Sequence, residues 1–513
     1  MLRRRSLQTL ALLATLTAIP APARAQTPDF HGMDAYVAKA VADWKVPGLA
    51  IAIVRGDSVV YARGFGVRAL GRPERVDEHT LFAIGSDTKA FTATALAMLV
   101  DEGKVAWDDP VTKYVPTLRL ADPYVQHELT VRDLLTHRSG LPNTDAAWYA
   151  TGLSADEVIR RLRFAKPATS FRAGYEYQNA MFALAGRVVA SASGMPWDEF
   201  VRRSILAPLG MRETVIGVRG LASAADVAMP HAEVDDTLRA IAYRDLDAVA
   251  PAGAINSSVA DMARWIRFQL DSARVGQERL VKAGTFGETW TPQFTIPAAR
   301  YYPAAALAHA HFTGYGLGWF LQDYRGRLLA MHTGSIDGMS AIVGLLPEAH
   351  AGVVVLANSD HAELRHALMY RALDLAAGDS TRDWSAEVMR LYAPGIERAK
   401  AAERARMAAR VRGTHPSRPL AAYAATYADP DSVLDAMTVS VDAGRLVLRG
   451  GGAWVADLEH WSYDTWRARW RDRVLGNAFV TFTLDSAGKP AAIEVEGLAR
   501  FVRRPDAPAT PTP

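Results

Sequence analysis

The sequence predicts an α/β (α+β) protein in two parts: a region in which β elements flank a helical middle, then a small all-β module. Three observations carry this. Residues 48–54 and 59–65 are β-rich runs joined at Gly56-Asp57, a hairpin signature. Helical patterns dominate residues 91–270, and strand-like runs return at 315–322, 326–331, 340–346 and 352–357. Past residue 413, short alternating runs at 434–441, 444–448, 454–458, 463–470, 478–484 and 491–496 follow closely, as in a barrel or sandwich.

Residues 1–25 read as an export signal: Arg3, Arg4 and Arg5, an apolar stretch at 7–19, then Ala23-Arg24-Ala25 as the cleavage site, so that the mature chain begins at Gln26. The stretch falls short of the roughly 20 residues a membrane span needs. No integral membrane anchor is expected, and the location is periplasmic or secreted, the general route being favoured over the twin-arginine one that Arg4-Arg5 leaves open. A helical pattern at 33–44 leads into the hairpin, and residues 26–383 form the α/β region. Residues 384–412, rich in Ala, Arg, Glu and Met, read as a helical connector. The Gly, Pro and Ser of 413–419 open the β module of 413–504, and the Pro-, Ala- and Thr-rich 505–513 is a disordered tail.

Half of the 513 residues are hydrophobic and none is Cys, which excludes disorder over most of the length, disulfides and thiol chemistry. Lys and Arg number 58 against 55 Asp and Glu. Four of those arginines (Arg3, Arg4, Arg5, Arg24) lie in the signal, leaving 54 against 55, a charge of −1. Bulk charge therefore does not favour a nucleic-acid partner.

Three motifs could carry chemistry. Ser86-Asp87-Thr88-Lys89 precedes an apolar helix at 91–100; three apart on a helix, Ser86 and Lys89 share a face. A serine hydroxyl needs a base to take its proton, and a partly desolvated lysine serves. Taken alone, the motif reads more simply as an N-cap serine and a solvated lysine. Tyr177-Gln178-Asn179 precedes a small apolar helix; the phenol is a proton shuttle if cations lower its pKa, and the amide can hold a carbonyl. Alone it reads as a buried tyrosine with an Asn cap. His332-Thr333-Gly334-Ser335 sits at or near a strand end, where glycine admits a substrate backbone and the Ser335 N–H could donate to an oxyanion. A tight connection with an incidental His is equally good.

Together and in this order, about 90 and 150 residues apart, the motifs resemble those of the serine β-lactamase and penicillin-binding protein superfamily. The nearest resemblance is to class C β-lactamase-like serine hydrolases, which include D-aminopeptidases, esterases and a peptidase subgroup with a C-terminal lipocalin-like module. It extends to Phe82-Ala83-Ile84-Gly85, residues 134–142 and 175–186, Asn256-Ser257-Ser258 and Tyr315-Gly316-Leu317-Gly318-Trp319, roughly residues 34–358 in all. It implies an antiparallel sheet beside a helical cluster, with the site in the cleft between them. Ser86 would be the acylated nucleophile, Lys89 its base, Tyr177 the proton shuttle and Asn179 a carbonyl ligand. The N–H groups of Ser86 and Ser335 would form the oxyanion hole, with Thr333 and Gly334 beside the substrate. His332 stands where β-lactamases of this kind usually place lysine, so a permanent cation gives way to a group titrating near pH 6.5. That tilts the reading toward peptidase, amidase or esterase work.

The function so implied is an exported serine hydrolase acting on small-molecule or peptide substrates, cell-wall-derived ones among them, with no cofactor and no metal. The alternatives are a class C-type β-lactamase and a non-catalytic penicillin-binding or cell-wall-sensing protein. Gly56-Asp57-Ser58-Val59 imitates a lipase motif but falls in the predicted hairpin turn, and no G-x-S-x-G or H-E-x-x-H occurs. His309/His311 and His361/His366 lack a third ligand. Trp461, Trp466 and Trp470 read as core or barrel lining rather than a stacking platform.

Overall fold

The computed structural model describes residues 30–360, 363–379 and 381–505. The export signal at 1–25 and the tail beyond Pro505 lie outside the described residues. The frame of the first part is an eight-stranded antiparallel sheet. Its spatial order is Phe294–Thr295, Thr313–Tyr315, Phe320–Tyr324, Arg327–Ile336, Met339–Leu346, Ala351–Ala357, Gly48–Arg55 and Ser58–Gly66. The first hairpin thus pairs with a strand from the far end of the region, Leu49 facing Ala357 and Arg55 facing Ala351.

Gly48–Arg55 is apolar almost throughout because both of its faces are covered. Leu49, Ile51 and Ile53 enter one core with Val353 and Val355, whereas Ala50, Ala52 and Val54 enter a second with Val354 and Leu356. Leu364–Ala376 covers the first face and Val259–Leu270 the second. The second core continues into a helical cluster that includes Thr88–Asp101 and Asn179–Ser193. This is the expected antiparallel sheet beside a helical cluster.

Two strands depart from the sequence reading. The run expected at 315–322 breaks between Tyr315 and Phe320. There the backbone crosses other chain so closely that a Cβ on Gly316 would lie 2.3 Å from Thr289 O, and one on Gly318 2.9 Å from Lys89 O. The run expected to end at Met331 continues to Ile336, so His332 to Ser335 lie inside a strand.

The C-terminal part is a closed barrel of eight antiparallel strands, from Ala425–Ala428 to Ala499–Arg503, sealed by the pairing of Tyr427 with Arg503. The pattern flagged six of them. It missed the first, Ala425–Ala428, of only four residues, and the last, Ala499–Arg503, where Val502 beside Phe501 breaks the alternation of apolar and polar residues. Tyr423, Tyr427, Trp466, Trp470, Phe482 and Phe501 fill the interior. Trp461 does not join them; its ring meets Phe479 at 5.0 Å and carries the Arg410 guanidinium at 4.8 Å. The helix Trp384–Ala408 leads from the first part to the barrel.

Candidate active site

Ser86 lies in a single 3-10 turn, Gly85–Asp87, that feeds directly into the helix Thr88–Asp101. The turn is pressed beneath the strand Arg327–Ile336. Gly85 has φ +50°, and a Cβ there would lie 2.8 Å from Ser335 N; a Cβ on Gly334 would lie 1.7 Å from Ile84 O. Only glycine permits this approach, which brings the Ser335 strand against the Ser86 turn.

Lys89, one turn after Ser86 and second in the helix, is fully buried. Its Nζ donates to Ser86 Oγ at 2.9 Å, to Asn179 Oδ1 at 2.7 Å and to the Ala252 carbonyl at 2.9 Å. Burial pulls its pKa down from 10.5 to about 7, against the carboxylates of Asp145 and Asp87, which raise it. Near neutrality a large fraction is thus an uncharged amine, which keeps two N–H groups to donate and turns a lone pair to the Ser86 hydroxyl. Its ammonium lies 4.9 Å from the centre of the Tyr177 ring. The Tyr177 phenol is pushed well above its usual value by burial, with a hydrogen bond to Ser86 acting the other way. The sequence reading required cations to lower that value; instead the phenol keeps its proton, which leaves Lys89 as the group able to accept one.

Asn179 is committed on both sides. Its Nδ2 donates to both oxygens of Asp145, at 2.9 and 3.1 Å, which turns Oδ1 toward Lys89. Asp145, which sequence reasoning missed, therefore fixes the amide and sets part of the electrostatics of Lys89. Only its position two residues after Asn143 in a turn hints at it, since Asx turns are common.

His332 corrects an expectation. It is 1 % exposed, its Nδ1 bonding the Thr333 carbonyl at 2.8 Å and its Nε2 the Tyr315 hydroxyl at 2.9 Å. Burial, helped by the Lys89 charge, drops its pKa to about 3. The ring is a neutral part of the strand's support rather than a cleft group titrating near 6.5. Thr333 Oγ1 meets the Tyr302 hydroxyl at 2.5 Å, and Ser335 is exposed. Behind the strand the buried Arg365, also missed, donates to Gly334 O at 2.6 Å and Ser335 Oγ at 2.7 Å. Asp87 is buried with neither carboxyl oxygen hydrogen-bonded, and burial raises its pKa well above the usual carboxylate value, against the nearby charges of Arg365 and Lys89, which lower it. Gly56-Asp57 is the hairpin turn between Gly48–Arg55 and Ser58–Gly66, strands that stand three and four places from Arg327–Ile336 in the sheet order. Among the described residues no three His, Asp or Glu side chains converge as a metal-binding group.

The model of the family described as Beta-lactamase matches residues 33–378. The chain belongs to the β-lactamase family. Residues 409–506 match a second model, described as a domain of unknown function (DUF3471). This β-lactamase-family chain is 29% identical over 519 residues to the unguisins hydrolase ungD of Aspergillus violaceofuscus, an alignment spanning 93% of it and 89% of that protein. Its fold is shared with the octameric penicillin-binding protein homologue from Pyrococcus abyssi (TM-score 0.60, 24% identity, 93% of this chain and 100% of that one). It is shared also with the D-amino acid amidase from Ochrobactrum anthropi SV3 (TM-score 0.56, 24% identity, 68% and 98%). At that level of description it is a β-lactamase-family serine hydrolase with a C-terminal barrel. No helix among the described residues is long and apolar enough to cross a membrane.

Proposed function

We propose that the protein hydrolyses amide or ester bonds, as a peptidase, amidase or esterase, through an acyl-enzyme on Ser86. The observation that carries this is Lys89 Nζ, fully buried, 2.9 Å from Ser86 Oγ, with a pKa of about 7. As Ser86 Oγ attacks the carbonyl carbon, its proton passes to Lys89 Nζ. The negative charge on the carbonyl oxygen meets the N–H groups of Ser86 and Ser335. Lys89 returns the proton, with the Tyr177 O–H as relay, to the leaving nitrogen or oxygen, and the scissile bond breaks. Water then repeats the sequence on the ester, giving one proton to the base and its hydroxyl to the acyl carbon, which frees the acid and restores Ser86.

The names of the relatives, an unguisins hydrolase and a D-amino acid amidase, favour an amide substrate. A neutral His332 leaves the cleft without the lysine expected of a β-lactamase, which disfavours that alternative. The reading includes export directed by residues 1–25, a helical connector at 384–412 and a boundary to the β module at 413–419. Intact-mass analysis after a fluorescent phosphonate tests the chemistry: one adduct is expected, on the peptide containing Ser86, and none in Ser86→Ala. An adduct elsewhere, or full turnover by Ser86→Ala, would sink it. A panel of D-amino-acid amides, p-nitrophenyl esters and β-lactams then ranks the substrates.

A further inference from the structure

We infer that His137 is a positioning residue for Tyr177, gripping the chain on both sides of it through its carbonyl and its bare ring nitrogen Nδ1. The inference rests on the Ser86–Lys89–Tyr177 reading above. Tyr177 stands just before the helix Asn179–Ser193 and its N-cap Gln178, so that helix does not fix its backbone. His137 supplies what is missing. The amide of Glu176 donates to the His137 carbonyl at 2.8 Å, and the amide of Gln178 donates to His137 Nδ1 at 3.0 Å. The residues before and after Tyr177 are thus tied to one residue. The His137 ring also lies on the Tyr177 ring, centroids 4.1 Å apart and planes 32° apart.

The backbone is shaped for this. His137 has φ +57°, a conformation uncommon for residues other than glycine, Asn, Asp and His. Because Nδ1 accepts an amide proton, the ring's own proton sits on Nε2, which is buried and meets no acceptor. An orphaned donor in a fully buried ring is hard to explain by packing alone, since a phenylalanine would fill the space without that cost. The groups around the ring, Tyr175, Phe182, Tyr315, His332 and Lys89, offer no carboxylate. Burial and the Lys89 charge hold the imidazole neutral, so Nδ1 stays free to accept.

The test compares His137→Asn, His137→Gln and His137→Ala in the full chain, with Tyr177→Phe as control. Asn places an oxygen near where Nδ1 stands and tolerates positive φ; Gln carries the same amide one bond too far, and Ala has none. With p-nitrophenyl acetate as probe, His137→Asn should keep kcat within about fivefold, whereas Gln and Ala should lose about 30-fold or more with KM changed less than about twofold. Equal rates for Asn and Gln, or losses confined to KM, overturn the proposal. Amide exchange at Glu176 and Gln178 should quicken in His137→Gln. If it does while Tyr177→Phe has full activity, the role given to Tyr177 fails and the grip stands. Should the Gln and Ala variants not fold, 15N spectra of the wild-type ring decide: a bare Nδ1 and protonated Nε2 are required in active enzyme, and protonation at Nδ1 overturns the proposal.

Discussion

Between residues 33 and 378 the molecule buries Asp87, Lys89, His137, His332 and Arg365, whereas beyond residue 413 no charged, amide or hydroxyl-bearing Ser or Thr side chain among the described residues is buried to the same degree. The barrel spends its interior on aromatic and aliphatic groups and keeps its ion pairs outside, as with Arg471 and Asp457, about half exposed. The contrast teaches where stability was given up. A buried ammonium or guanidinium costs free energy that an apolar residue would not, and groups with displaced pKa values gather where protons are moved. The barrel carries no such burden. It meets the other part beside the candidate site. Ala453 N donates to Ala150 O and Trp454 Nε1 to Tyr149 O, both at 2.8 Å. Arg244 bridges Asp337 at 2.7 Å and Asp472 at 2.9 Å.

The contrast breaks first at Lys89. Lys89→Met should lower turnover about 10⁴-fold, nearly as far as Ser86→Ala, because the two act as one unit. Its stability should also differ with pH. The folded lysine loses its proton at about 7 and the unfolded one near 10.5, so unfolding takes up a proton between those values. Wild-type stability relative to the variant should be flat below pH 7 and rise by about 1.4 kcal/mol per unit above it, as read by urea titrations. A pH-independent difference would mean that Lys89 is charged in the fold.

A chain ending at Arg412 tests the barrel. It loses the partners of Tyr149, Ala150 and Arg244, and with them the support of the segment that carries Asp145. We expect phosphonate labelling of Ser86 to persist while kcat/KM falls about 10- to 100-fold. Unchanged kinetics would make the docked surface passive, and an unfolded product by circular dichroism would make the two parts one cooperative unit.

A smaller effect is expected at Asp145. The acid limb of kcat/KM should have its midpoint near pH 7, activity rising as Lys89 loses its proton. Asp145→Asn removes a carboxylate that raises that pKa, so the limb should move to lower pH, by up to about one unit. No movement would take Asp145 out of the electrostatics of the site. The smallest effect concerns His332. Neutral down to about pH 3, it should give parallel profiles for a carboxylate-bearing and a neutral substrate between about pH 5 and 9. A divergence near pH 6 would restore it as a titrating cleft group.

Local pattern determined much of this protein. The apolar run at 48–54, the turn at Gly56-Asp57 and the alternation beyond residue 434 reflect periodicities of two, which a strand imposes on its own sequence. Ser86 and Lys89 were legible together because three residues on a helix are always neighbours. What only the tertiary structure decided depends on groups distant in sequence meeting without water. That Leu49 faces Ala357, that Asp145 turns the Asn179 amide toward Lys89, that His137 brackets Tyr177 and that Arg365 stands behind Ser335 are contacts no spacing encodes. The charge state of His332 is the plainest case. Its residue type gives a pKa near 6.5, and only enclosure within the fold, with the Lys89 charge beside it, takes that value to about 3. The reason is that desolvation depends on everything surrounding a group, and the sequence names only its chain neighbours.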